Sequence, residues 1–333
     1  YATALKLMRV GLLTIETRSK SARGYALLEG NGPAWVKISP FAVDPRMTLD
    51  DILRKAGIDY LTQCLKNTPA VAADSVEGIH QMRVGFRRLR SLLGALRKEL
   101  PPAAYDWANG QLKRVLQSLG PARAWDVFVD EMVGAVVDAG ALVDASAFLR
   151  AANIARMRAH LQARDAVASP AHTTAILELL HWFEMRGWRS HHDRRKAMDR
   201  PVGKCAGAMV ERQFRRARKR SKGFATLPVE ARHEFRIAVK SLRYLLDLMR
   251  PALDRRKVLA FIKVLKPLQE LLGHLNDIAT AEELLRQLTQ QDPSPRVVLQ
   301  GGVVLGWHEG EMRAREKTLC RIVKKVRDHK RFW

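Results

Sequence analysis

The chain has 333 residues, with 58 Lys and Arg against 34 Asp and Glu, for a formal net charge of +24 at pH 7. Such an excess repels itself within a compact protein and attracts polyanions (nucleic acid, an anionic membrane surface or another anionic polymer) without choosing among them. A hydrophobic content of 47% excludes a wholly disordered chain, and the length allows one large or two ordinary domains.

Cys64, Cys205 and Cys320 are odd in number, far apart and outside any metal-ligand spacing. This fits buried thiols in a reducing, cytoplasmic compartment and speaks against a disulfide framework or zinc site. No apolar run approaches the roughly 18 residues that span a bilayer. Lys6 and Arg9 also interrupt the first apolar stretch, so neither a signal sequence nor membrane insertion is expected.

In chain order, residues 1–47 stand apart, with Pro33, Pro40 and Pro45 punctuating short apolar alternation. This pattern predicts a short amphipathic helix followed by extended linker. The start at Tyr1 and not Met is expected of a fragment of something longer. Thr48-Leu-Asp-Asp51 has the form of a capping box and opens a run of helical periodicity. Helices are predicted over 48–66, 76–99, 102–119, 123–138, 142–165 and 171–187, then over 196–221, 229–250, 254–272, 275–290 and 296–328. Proline and glycine mark the breaks, at Thr68-Pro69, Pro101-Pro102, Gly120-Pro121, Ser169-Pro170, Gly223 to Pro228, Pro251 and Asp292 to Pro295. No strand is expected after residue 47, so the fold class is all-α.

One phrase occurs twice, 153 residues apart: His80, Arg83, Arg87 and Arg90 at i, i+3, i+7 and i+10 are answered by His233, Arg236, Lys240 and Arg243. These positions fall within an arc of about 80° and climb about 15 Å of helix. The apolar residues repeat in register, with Met82, Phe86, Leu89, Leu93 and Leu96 matched by Phe235, Val239, Leu242, Leu246 and Met249. Their stripe is centred roughly 120° from the basic one, so one face can bury while its flank stays accessible. The same offset pairs Lys66 with Lys219, Lys113 with Lys266, and Leu119-Gly120 with Leu272-Gly273, while Asn276 answers Arg123. A single offset carrying all these positions predicts an internal repeat, hence two similar helical bundles about a pseudo-twofold axis.

The residues resemble the CHAD (conserved histidine α-helical) domain family. The resemblance rests on four ordered phrases: His80-x-x-Arg83-Val with Arg87-Arg88-Leu-Arg90; Leu119-Gly120-x-x-Arg123; His233-x-x-Arg236 with Lys240-x-Leu-Arg243-Tyr244; and Leu271-Leu-Gly-x-Leu-Asn276-Asp277. It covers residues 48–333, divided into halves of about 48–190 and 196–333. Ala124 stands where the family usually has Asp, which puts an Arg-orienting role in doubt in the first half, while Asn276-Asp277 keeps it in the second. The resemblance implies two four-helix-bundle halves and a basic groove or pore that binds inorganic polyphosphate without catalysis or cofactor, in the cytoplasm or at polyphosphate granules. Residues 1–47, especially Ser19 to Tyr25, look like the junction to an upstream CYTH-type triphosphate tunnel domain, where any triphosphatase-like activity would reside.

Such a ligand suits these residue types, because Arg forks onto two phosphate oxygens and Lys supplies a compact charge that follows a mobile chain. Arg83, Arg87, Arg90, Arg236, Lys240 and Arg243 are the foremost candidates, with Arg88 and Arg123 from the family phrases and Lys113 and Lys266 behind them. His80 and His233 are read as phosphate donors whose pKa is lowered by nearby cations and raised when the anion arrives. A metal held by this pair is the weakest reading, and no metal site is assigned. Residues 211–222 carry seven cations. Arg212, Arg215, Arg216 and Lys219 are read as a further wall of the groove, level with a solvated basic face or a nucleic-acid patch. His181, His191, His192 and Asp193 stand among arginines, which predicts a connection between bundles and not a metal cluster. Trp107, Trp125, Trp182 and Trp188 are expected in cores, and Asp126, Asp130, Asp277 and Glu282 are expected to serve helix dipoles. General nucleic-acid binding is the weaker alternative and phosphohydrolysis the least supported, as no magnesium-type carboxylate cluster is apparent.

Overall fold

The computed structural model describes residues 2–8, 13–28, 32–190 and 195–333. Among them there is no β-strand, only an isolated antiparallel bridge between Thr48 and Pro201. The α-helices are α1 Ala2–Leu7, α2 Lys20–Leu28, α3 Leu49–Leu65, α4 Thr68–Ala72, α5 Val76–Ala95, α6 Pro102–Ser118, α7 Gly120–Asp126, α8 Gly134–Asp138, α9 Ser146–Ala168, α10 Pro170–Glu184, α11 Arg195–Met198, α12 Val202–Arg220, α13 Val229–Met249, α14 Arg255–Gln291 and α15 Pro295–Arg327. No helix among the described residues is long and apolar enough to cross a membrane.

Local chemistry explains most boundaries. Thr48 and Asp51 form the expected capping box at the start of α3, Ser75 caps α5 through Gly78 N–H, and Asp254 caps α14 through two amides. Besides α4, a short helix at the expected Thr68-Pro69 break, three boundaries differ from the sequence reading. Pro201 divides the expected 196–221 helix into α11 and α12. A π-helical turn, Val127–Val133, interrupts the expected 123–138 helix. Most conspicuously, α14 runs unbroken through Gly273 and contains Pro267. An interior glycine costs only about 1 kcal/mol and an interior proline about 3. Leu265, Leu268 and Leu272 before the glycine and Ala281, Leu284, Leu285 and Leu288 after it are all buried, and that continuous apolar stripe outweighs both residues.

The chain forms two compact units, each made of two stretches: residues 1–121 with 160–206, and residues 122–159 with 207–333. In the first unit α5 packs on α3 and α6, and α10 on α3. The expected stripe of Met82, Phe86, Leu89, Leu93 and Leu96 is buried. The approach of α3 to α5 is close enough that a Cβ at Gly85 would collide with Cys64 Sγ. Burial in that contact raises the Cys64 thiol pKa. Residues 32–44 are extended along the same unit, with Asn67 clasping Val36 through both amide groups, Gln81 accepting from Ile38 N–H and Ile38 itself buried. Trp182 packs on Trp107, Phe183 and Trp188. At the start of α3 the fully buried Asp50 accepts from Trp188 Nε1 at 2.6 Å and Arg189 Nε at 2.8 Å and is also met by Arg186.

In the second unit α14 packs on α13 and α15, and Phe235, Val239, Leu242, Leu246 and Met249 are buried. Trp125 packs edgewise on Phe128. Asp126, expected to serve a helix dipole, is fully buried and instead accepts from Arg156, which also forks onto Asp130. His191, His192 and Asp193 lie outside the described residues.

One titration follows from the first unit. Burial alone lowers the His172 pKa to about 4, in a cavity of about 450 Å³ lined also by Gln111, Arg114 and Glu178. A histidine held neutral by the fold leaves stability intact above its unfolded pKa, near 6.5. That stability is lost as pH falls from there toward about 4, because the unfolded chain takes up the proton first. Urea unfolding at pH 4.5 and 7.5 should show a loss of about 2.5 kcal/mol from this group, which His172→Gln removes. His274 and His329, whose pKa values burial also lowers, add to the acid sensitivity of both proteins alike.

Candidate functional site

Each copy of the duplicated phrase forms one helix, α5 or α13, with its apolar stripe buried and its basic stripe half-buried alongside, except that His233 is exposed. In the first unit the basic stripe of α5 runs beside α6. Arg83 Nη1 donates to the Leu116 carbonyl at 2.9 Å, and Arg90 Nε donates to Asn109 Oδ1 at 3.0 Å. The Leu116 carbonyl belongs to the last turn of α6, where orphan carbonyls and the helix dipole favour a cation. Asn109, Lys113 and Leu116 stand at i, i+4 and i+7, so Lys113 lies on the stripe of α6 that meets Arg90 at one end and Arg83 at the other. Arg87 occupies the corresponding middle of α5, and its Nε is buried without a hydrogen-bond acceptor. The first unit therefore gathers Arg83, Arg87, Arg90 and the exposed Lys113 along one inter-helix groove. Arg88 faces elsewhere, donating to the Ile38 carbonyl at 3.0 Å and holding the extended segment onto α5. His80 begins the stripe, half-buried.

In the second unit α13 meets α14 through Asn276. The amide oxygen of Asn276 accepts from Arg236 Nη1 at 3.1 Å and from His233 Nδ1 at 2.7 Å. With an acceptor there, the imidazole carries its proton on Nδ1. His233, Arg236 and Asn276 line a cavity of about 230 Å³, together with Arg232, Glu282 and apolar residues of α13 and α14. Asp277 stands beside it. Burial holds its carboxyl above the ordinary value, against the pull of Arg236, the Asn276 amide, Lys240 and Arg123. That field brings Arg123 together with Arg236 and Lys240, although the repeat assigns Arg123 to the first half. Arg123 also pairs with Glu131 at 2.8 Å. Arg243 lies over the Tyr244 ring and 3.6 Å from Asp247, and its Nε is buried without a hydrogen-bond acceptor.

Lys266 is exposed on α14, 3.9 Å from Glu270. On α12, Arg212 is half-buried and Arg216 and Lys219 are exposed. Arg220 reaches Glu234 at 3.0 Å and so sets the end of α12 against the start of α13, beside His233.

The Arg-orienting role expected of Asn276 is therefore visible in the second unit. Arg123 stands at the matching position of the other copy, and there Arg83 takes a backbone carbonyl instead. Sequence reasoning missed Asn109 and the Leu116 carbonyl. Neither carries a signal until α6 is laid along α5.

The CHAD domain family profile matches residues 56–286. The crystal structure of the CHAD domain from the plant Ricinus communis is similar, with a TM-score of 0.71 and 25% sequence identity, covering 90% of this chain and 99% of that one. PptA from Streptomyces chartreusis shares the fold, with a TM-score of 0.59 and 18% identity over 84% of this chain and 100% of its own. No curated protein matches the chain. The profile match takes in α5, α6, α13 and nearly all of α14, the helices that carry the basic stripes and their partners, and the chain belongs to the CHAD domain family.

Proposed function

We propose that the chain binds inorganic polyphosphate, without hydrolysing it, through the cationic stripes of α5 and α13. The observation that carries this reading is that each stripe is anchored by a buried apolar face and contains a guanidinium Nε, on Arg87 or Arg243, buried without an acceptor. A buried donor left without an acceptor costs about 1–3 kcal/mol. The anionic oxygens of a polyphosphate chain supply acceptors at close spacing, and a linear polymer is matched by cations climbing a helix. Trp125 and Trp188 are buried, which withdraws these two rings from base stacking. His233, held by Asn276 through Nδ1–H, stands exposed at the start of the α13 stripe, within reach of the same anion.

Calorimetric titration with long-chain polyphosphate, short oligophosphate, single-stranded DNA and duplex DNA at 50 and 200 mM salt tests the proposal. If the four cations of the α5–α6 groove engage phosphates as a single-stranded polymer would, log K falls with log salt at a slope of about −3, or about 50-fold between the two salts. Equal or tighter binding of DNA sinks the polyphosphate reading. Shortening of the polymer on incubation with magnesium sinks the non-catalytic part of it.

A further inference from the structure

On the opposite side of the same turn of α14, where the sequence assigned no metal site, His274 comes together with His308 and Glu311 of α15. One donor atom from each lies within 4.8 Å of the others. His308 is 2% exposed, and its Nε2–H donates to the Met132 carbonyl in the π-helical turn at 3.0 Å. That bond fixes the tautomer, so Nδ1 carries a lone pair, and this Nδ1 is buried with no hydrogen-bond partner. The Nε2 of His274 is likewise buried and unpartnered. The two rings meet edge to face, with centroids 4.9 Å apart. Glu311 stands one turn from His308 on the same face of α15 and is bonded from outside by Arg315 at 3.3 Å.

We infer that His274, His308 and Glu311 form a binding site for a divalent transition-metal ion of the zinc class, bridging α14 and α15. Two imidazole nitrogens and a carboxylate are a donor set that zinc, cobalt and nickel accept, and that magnesium and calcium, which demand oxygen, do not. The backbone carbonyl holding the far nitrogen of His308 is the outer support that metal-bound histidines regularly have. Tetrahedral zinc with bonds near 2.0–2.1 Å places its donors about 3.3 Å apart, so the three side chains close by about 1.5 Å at most. Side-chain rotations within one helix pair supply that movement. Arg315, itself exposed, pairs with that carboxylate and yields its bond when the ion arrives.

The test uses the full chain after EDTA treatment, titrated with Zn²⁺ and separately with Mg²⁺, with Co²⁺ as a spectroscopic substitute. The wild-type protein should bind one Zn²⁺ that His274→Gln and Glu311→Gln each weaken at least tenfold. Co²⁺ should give a visible ligand-field band that both variants lack, and saturating Zn²⁺ should raise Tm by several degrees only in the wild type. Both substituted side chains are part-exposed, so folding is not at stake as it would be at His308. The variants leave Cys320, His191 and His192 in place, so adventitious binding there persists in them and is subtracted. Equal Zn²⁺ affinity in either folded variant, or Mg²⁺ binding as tight as Zn²⁺, overturns the inference.

Discussion

Replacing Arg83 and Arg236 together with Glu is expected to weaken polyphosphate binding by about a hundredfold or more while leaving both units folded. Hydrogen bonds to charged groups contribute about 1.5–3 kcal/mol each, and every 1.4 kcal/mol is tenfold in affinity. Charge reversal adds repulsion to the lost bonds. Each arginine is held at one nitrogen by a neutral acceptor, the Leu116 carbonyl or the Asn276 amide oxygen, which steers the guanidinium. Reversal at position 83 also sets a carboxylate against the carbonyl end of α6, at about 0.3–1 kcal/mol. Arg83→Gln and Arg236→Gln separate that local strain from the loss of charge. Isothermal titration with circular dichroism of each variant checks the outcome. Undiminished affinity in a folded double variant removes α5 and α13 from the site.

Substituting Asp50 with Ala should destabilise the first unit by about 3–5 kcal/mol, the range for removing one partner of a buried ion pair. Asp50 is fully buried and is the shared acceptor for Trp188, Arg189 and Arg186. Arg186 adopts a left-handed backbone conformation, φ 52°, in the turn after α10. The carboxylate thereby ties that turn to the first turn of α3, where it also suits the helix dipole. For a unit of this size the loss corresponds to a fall in Tm of about 6–20 °C. Asp50→Asn keeps an acceptor for the indole and should fall between wild type and Asp50→Ala. Calorimetry decides, and a shift under about 2 °C for Asp50→Ala would mean that the cluster is surface decoration.

Much of the candidate site was legible because helical periodicity and residue chemistry act locally. The basic and apolar stripes of α5 and α13 follow from spacing alone, and both apolar stripes are buried as that spacing requires. The Thr48 capping box is likewise a matter of four consecutive residues. Arg88 was grouped with the stripe by adjacency in sequence, yet it lies about 100° round the helix from Arg87 and serves the Ile38 carbonyl.

The all-helical class and the two anchored, cationic helices are written in the sequence, since each depends on residues within a few turns of one another. Which stretches share a unit emerges from long-range packing, with 122–159 joining residues 207–333. Tertiary structure also decided that α14 continues through Gly273, that Arg123 joins the field around Asp277, and that His274 meets His308 and Glu311. Each of these outcomes turns on apolar area buried or charge gathered between segments distant in sequence. Those terms outweigh a local glycine or proline signal and leave no periodic trace in the chain.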